Sequence, residues 1–209
     1  TDRYDILMHG ASIGFQYGPQ VVARKAKPLE SFKTIAIPGR LTSAYLALKL
    51  RYPDFKEVLM PFDAILDAVA EGKVEAGLLI HEGQLTHAEK GLKLILDLGK
   101  WWFDTTRLPL PMGVNAIRKD LPDELKRRVS GHLKASILYS LSHREEALDY
   151  ALKFGRGLKR DVADRFVSMW VNDRTVDMGE DGKESIRRLL SSGVAKGLVP
   201  SLNSITFVE

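Results

Sequence analysis

The sequence predicts an α/β protein with a parallel sheet and two lobes. Three observations carry this. Apolar strand-like runs alternate with helical patterns between Lys33 and Ile80, the signature of βαβ units. After Arg118 the pattern turns helical almost without interruption. Two extended segments, Gly18 to Arg24 and Pro111 to Arg118, flank the alternating region, as expected where a chain enters and leaves an inserted lobe. The predicted lobes are 1–21 with 114–209, and 22–113. A cleft between two such lobes is a common place for a ligand.

Along the chain, Tyr4 to Met8 reads as a strand ending at His9-Gly10. Gly14, Gly18 and Pro19 punctuate a loop, and Gln20 to Arg24 is the next extended run. Lys33 to Ile37 is a strand stopped by Pro38-Gly39. Thr42 to Arg51 is a helix, bounded by Pro53, which disfavours helical geometry in the residue before it. Glu57 to Met60 is a short strand. Pro61 suits a first helical turn, and Phe62, Ile65, Leu66 and Val69 share one helix face. Gly72 closes that helix. Val74 to Ile80 and Leu94 to Asp97 are further strands, Lys100 to Pro111 a loop, and Met112 to Arg118 a returning strand. Helices are predicted over Pro122 to Leu141, with acidic residues in the first turn as the dipole favours, His143 to Phe154 closed by Gly155, Asp161 to Trp170, and Glu180 to Lys196.

Composition narrows the function. Of the 209 residues 44% are hydrophobic and 28% charged, ordinary for a globular chain. With no cysteine, disulfides, zinc-thiolate sites and thiol nucleophiles are excluded. No apolar run reaches the ~18 residues of a membrane span. The net charge of +4 comes without a dense basic stripe interleaved with aromatics, which argues against nucleic acid and suits a small anionic ligand.

Ile80-His81-Glu82-Gly83-Gln84-Leu85-Thr86 is the most informative segment. It puts a histidine, a carboxylate, an amide and a hydroxyl where an apolar strand ends, and in an open α/β sheet that end is where ligands sit. His81 is a candidate general base, with a backbone-satisfied structural histidine as the alternative. A metal reading of His81 with His87 fails on spacing, because the position four residues on is Leu85 and six residues put two rings about 240° apart on a helix. Gly39-Arg40-Leu41-Thr42-Ser43 leads from a strand into a helix, and such a turn receives a carboxylate or phosphate. Simple N-capping by Thr42 or Ser43 is the alternative. Small residues around Gly10 and Ser12 allow close approach of a ligand, or simply a tight turn. Trp101, Trp102 and Phe103 could wall an aromatic ligand or pack a lobe. His132 and His143 read as surface or packing residues.

Several motifs, in this order, carry a resemblance: Tyr17-Gly18-Pro19-Gln20-Val21-Val22-Ala23-Arg24, Pro38-Gly39-Arg40-Leu41-Thr42-Ser43-Ala44-Tyr45, Ile80-His81-Glu82, Asp97-Leu98-Gly99-Lys100-Trp101-Trp102, Leu108-Pro109-Leu110-Pro111-Met112-Gly113 and Val171-Asn172-Asp173-Arg174-Thr175-Val176-Asp177-Met178-Gly179. Together they resemble the 1,4-dihydroxy-6-naphthoate synthase family of the futalosine route to menaquinone. The resemblance implies a type 2 periplasmic-binding-protein-like fold with two crossing strands. It implies a cytoplasmic lyase that converts cyclic dehypoxanthinyl futalosine into 1,4-dihydroxy-6-naphthoate without metal or organic cofactor. The family's base falls on His81 and its substrate-binding hydroxyl pair on Thr42 and Ser43; Gly10 and Ser12, from the small-residue turn read above, are taken as further candidate substrate contacts. The family's N-terminal portion, roughly a strand, a helix and a further substrate-contacting segment, is expected to precede Thr1. His9 stands where the family often has a small hydroxyl residue. Two rival expectations stay open: a chorismate dehydratase of the same pathway, and a non-catalytic solute-binding protein for a small carboxylate. Oligomeric state is not encoded in any pattern seen.

Overall fold

The computed structural model describes residues 2–81, 83–154 and 159–209. Glu82 and Gly155, the glycine expected to close a helix, lie outside them. The chain divides into two compact units, Thr1–Ile13 with Pro111–Glu209, and Gly14–Leu110. It passes out of the first in β2 (Ser12–Gly14) and returns in β8 (Leu110–Gly113), which pair as a two-stranded ribbon. The boundaries therefore differ from those read in the sequence. Gln20 and Val21 belong to the second unit because β3 (Gln20–Ala23) lies inside its sheet, and Pro111 to Gly113 belong to the first.

The second unit is built on a five-stranded sheet that also contains β4 (Thr34–Ile37), β5 (Lys56–Leu59), β6 (Ala76–Leu79) and β7 (Lys93–Asp97), in the order β5-β4-β6-β3-β7. β4 runs parallel to β5 and to β6, with Ile35 beside Ala76 and Ala36 beside Gly77. β3 runs antiparallel to both its neighbours, so the sheet is mixed rather than purely parallel. Val21, Val22 and Ala23 are fully buried in its middle.

Helix α1 (Ser43–Arg51) follows β4, and α2 (Phe62–Ala70) follows β5. The α2 face read from the sequence is the packed one: Ile65 and Val69 join Val22, Ala36, Val74, Leu79 and Leu92 in one core cluster. Close packing of α2 depends on Gly77, where a Cβ would fall 2.5 Å from Ile65 Cγ2 and 2.7 Å from Val69 Cγ2. Beyond β6 come α3 (Gly83–Thr86), a 3-10 turn over His87–Lys90, β7 and α4 (Leu98–Thr106). The segment from Lys100, expected as a loop, is thus mostly helix. Asp97 starts it, its Oδ1 accepting from the amides of Gly99 (2.9 Å) and Lys100 (3.0 Å).

The first unit holds a three-stranded sheet, with β1 (Tyr4–Leu7) between β9 (Ala116–Arg118) and β10 (Phe207–Val208). The predicted strand from Met112 to Arg118 is broken in two, β8 and β9. Helices α5 (Asp123–Ser142), α6 (Arg144–Leu152), α7 (Arg160–Trp170), the short α8 (Asp173–Val176) and α9 (Gly179–Ala195) complete the unit. Ile6, Met8, Ala11, Ile13, Met178 and Ile186 form its core cluster. Among the described residues no helix is long and apolar enough to cross a membrane.

A buried ion pair, Asp5 with Lys126, sits in this unit. Burial pushes the Asp5 carboxyl up, but the Thr206 hydroxyl, the Lys126 ammonium at 2.9 Å and the charge of Lys119 outweigh it and hold the group below the usual carboxylate range. A depressed carboxyl stabilises the fold above its unfolded pKa, and that contribution is lost as the pH falls through the lower folded value. Thermal unfolding of the wild type is therefore expected to fall more steeply below about pH 4 than that of Asp5→Asn, which is less stable at pH 7. Parallel acid slopes in the two proteins would remove Asp5 from this role.

Candidate functional site

In the second unit, strand direction gathers the predicted site residues on one edge of the sheet. β4, β5 and β6 are parallel, so the segments after Ile37, Leu59 and Leu79 all leave at the same side. These are Pro38–Thr42, Met60–Pro61 and Ile80–His81. β3 begins on that side as well, because Gln20 is the partner of both Leu79 and Asp97. β4 and β6 are adjacent, so the turn bearing Thr42 and Ser43 and the turn bearing His81 leave from neighbouring strands, whose spacing is about 4.8 Å.

Thr42 is the N-cap of α1. Its hydroxyl oxygen accepts from the Tyr45 amide (3.1 Å) while its proton goes to the Gly39 carbonyl (2.9 Å). The capping alternative is thus what the structure shows for Thr42, and Ser43 is the first residue of the helix. Arg40 is paired across to β5: its Nε donates to Glu57 Oε2 at 2.6 Å, and Lys49 and the Tyr45 hydroxyl hold the other carboxylate oxygen. Burial, with the neighbouring Glu57 carboxylate, pushes the Tyr45 phenol up to about 12. The network ties α1 to β5, and the helix terminus lends positive character to the turn.

His81 stands just past β6, half-buried, and its ring packs on Phe62, with centroids 4.2 Å apart and planes at 49°. Its carbonyl accepts from the Gln84 amide at 2.9 Å, which starts α3. Gln84 is 3% exposed, and neither atom of its side-chain amide has a hydrogen-bond partner among the described residues. The sequence named this amide without giving it a role. His87 Nδ1 lies 3.0 Å from the Gln84 carbonyl. Among the described residues no group of three or more His, Asp or Glu side chains could hold a metal ion.

Asp97 sits on the same edge. Burial raises its carboxyl above the ordinary value, against the pull of the Lys100 and Gly99 amides and of Gln20. On α4, Trp102 is buried, Trp101 meets it edge-on at 5.9 Å, and Phe103 meets Phe15 edge-on at 5.0 Å.

Gly10 and Ser12 belong to the first unit. Gly10 has a φ of +80°, and a Cβ there would fall 2.0 Å from Asn115 Nδ2. The turn is held by the Gly10 amide on the Thr175 carbonyl (2.7 Å) and by Asn115 Nδ2 on the Gly10 carbonyl (3.2 Å). His9 is buried, and its Nδ1 donates to the Val176 carbonyl at 2.5 Å, a structural use. Behind the turn, Asn172 caps α8 reciprocally with Thr175. The sequence reading assigned no element there; an Asn followed three residues on by Thr was the available signal.

Comparison with known proteins adds a second line. A family model described as "Menaquinone biosynthesis" matches residues 1–195. A 1,4-dihydroxy-6-naphthoate synthase from Thermus thermophilus is 41% identical over 199 residues, 94% of this chain and 72% of the relative. One from Streptomyces coelicolor is 35% identical over 207 residues, 96% and 73% of the respective chains. A crystal structure of a protein from Archaeoglobus fulgidus superposes with a TM-score of 0.90 at 47% identity, covering 95% of this chain and 75% of that one. The periplasmic aliphatic sulphonate binding protein of Escherichia coli superposes at 0.63 with 13% identity, covering 100% and 71%, which shows a periplasmic-binding-protein-like fold.

Proposed function

The chain belongs to the 1,4-dihydroxy-6-naphthoate synthase family of menaquinone biosynthesis, and we propose that it is a lyase converting cyclic dehypoxanthinyl futalosine into 1,4-dihydroxy-6-naphthoate, with His81 as general base. The observation that carries the proposal is the shared sheet edge: a titratable ring and a helix N-terminus leave adjacent parallel strands. In this reading His81 takes a proton from the sugar-derived part of the substrate. The start of α1 receives the aromatic carboxylate through its N-terminal amides and Ser43. The Thr42 hydroxyl fixes that terminus and, on rotation away from the Gly39 carbonyl, adds a donor. Gly10 and Ser12 are proposed as further substrate contacts. The cytoplasm is the proposed location, and no organic cofactor is assigned.

The test is direct. Incubation of the protein with cyclic dehypoxanthinyl futalosine is expected to yield the naphthoate, and incubation with chorismate no enolpyruvyl benzoate. The opposite pattern would reassign the protein to the dehydratase, and tight binding of a carboxylate without turnover of either compound would favour the solute-binding reading. Ser43→Ala is expected to raise KM about tenfold, the loss of one hydrogen bond to a charged group, with a smaller change in kcat. An unchanged KM would take the carboxylate away from α1.

A further inference from the structure

We infer that Phe62 is a positioning residue for His81, an inference that rests on the base reading above. From the sequence, Phe62 is only the first of four residues on the packed face of α2. The structure gives that face two jobs. Ile65 and Val69 close on Gly77 at distances that leave no room for a side chain, which seats α2 against β6. Phe62, three residues before Ile65 on the same face, lies over the end of β6, where its ring meets the His81 imidazole at 4.2 Å. Along β6, Gly77 and Leu79 share a face by the period of two, and His81 lies two residues beyond the strand end. The helix contact on the strand and the ring contact on the histidine are therefore consecutive parts of one packing surface.

The consequence is orientation. A histidine side chain has two torsions, and a base must present one ring nitrogen to a particular C–H. A ring in contact at 4.2 Å and tilted by 49° restricts rotation about the Cβ–Cγ bond. Small misplacements of a reacting group cost up to about 10²-fold in rate, and a residue that acts through the base changes kcat rather than substrate affinity.

The experiment compares Phe62→Leu, Phe62→Met, Phe62→Tyr and His81→Ala in the whole chain, with kcat, KM and unfolding midpoint measured for each. The leucine and methionine variants are expected to lower kcat about 10- to 100-fold with KM within about twofold, and the tyrosine variant, which keeps the ring, to stay within about threefold of the wild type. A leucine or methionine variant with wild-type kcat overturns the inference. So does a tyrosine variant that falls as far as leucine, or a loss that appears in KM. If His81→Ala is inactive while Phe62→Leu is unimpaired, the inference alone fails. If His81→Ala turns over normally, the base reading fails with it.

Discussion

His81→Ala is expected to lower naphthoate formation by about 10²- to 10⁴-fold, the range a positioned general base contributes, with the unfolding midpoint almost unchanged. Local structure explains why the two effects separate. The turn after β6 is made by the His81 carbonyl and the Gln84 amide, which alanine retains. The ring is half-buried and packs on Phe62 rather than within the core cluster around Ile65 and Val69, so its removal opens no closed cavity. The carboxylate contact proposed at α1 is on a different strand end, so KM should move little. His81→Gln, which keeps a polar group but no comparable base, is expected to be equally inactive. Activity within threefold of the wild type in either variant would refute the role, and a folding defect in alanine absent from glutamine would show a structural histidine instead.

What the sequence showed and what it hid divide along physical lines. The strands at Lys33–Ile37 and Val74–Ile80 and the α2 face were readable because burial imposes a short period on neighbouring residues. The turn at Gly39–Ser43 was readable because a helix start needs a side-chain oxygen near its first amides. Strand direction leaves no such mark, so antiparallel β3 inside an otherwise parallel sheet could not be anticipated. Nor could the pairing of Arg40 with Glu57, made seventeen residues away by the β4–β5 register. The same holds for the contact that turns Phe62 from a core residue into a partner of His81. Asn172–Thr175 and Phe207–Val208 were missed because one helical turn and a two-residue strand are shorter than any periodicity can resolve.

The largest stability effect is expected at Gly99, in the first turn of α4, just before the segment from Lys100 that the sequence made a loop. Glycine and three consecutive aromatic residues give no helical period there, yet Asp97 caps α4 and Gly99 is its second residue. Tertiary contact decides the matter. A Cβ on Gly99 would lie 2.0 Å from the Tyr17 carbonyl oxygen, 2.1 Å from its carbon and 2.6 Å from the Gly18 amide nitrogen. These are backbone atoms leading into β3, and the Leu98 amide is already bonded to the Pro19 carbonyl at 2.9 Å, so they cannot swing aside as a side chain tip would. Alanine, ordinarily the better helix former by about 1 kcal/mol, must here separate α4 from the Tyr17–Gly18 backbone. Gly99→Ala is therefore expected to destabilise the protein by at least about 3 kcal/mol, the upper range for overpacking. Gly91→Ala offers a control: its Cβ would meet nothing within 4 Å, and its cost comes only from a φ of +72°. Denaturant unfolding of the two variants separates the causes. A Gly99→Ala protein no less stable than Gly91→Ala would mean that the β3 entry yields to the helix.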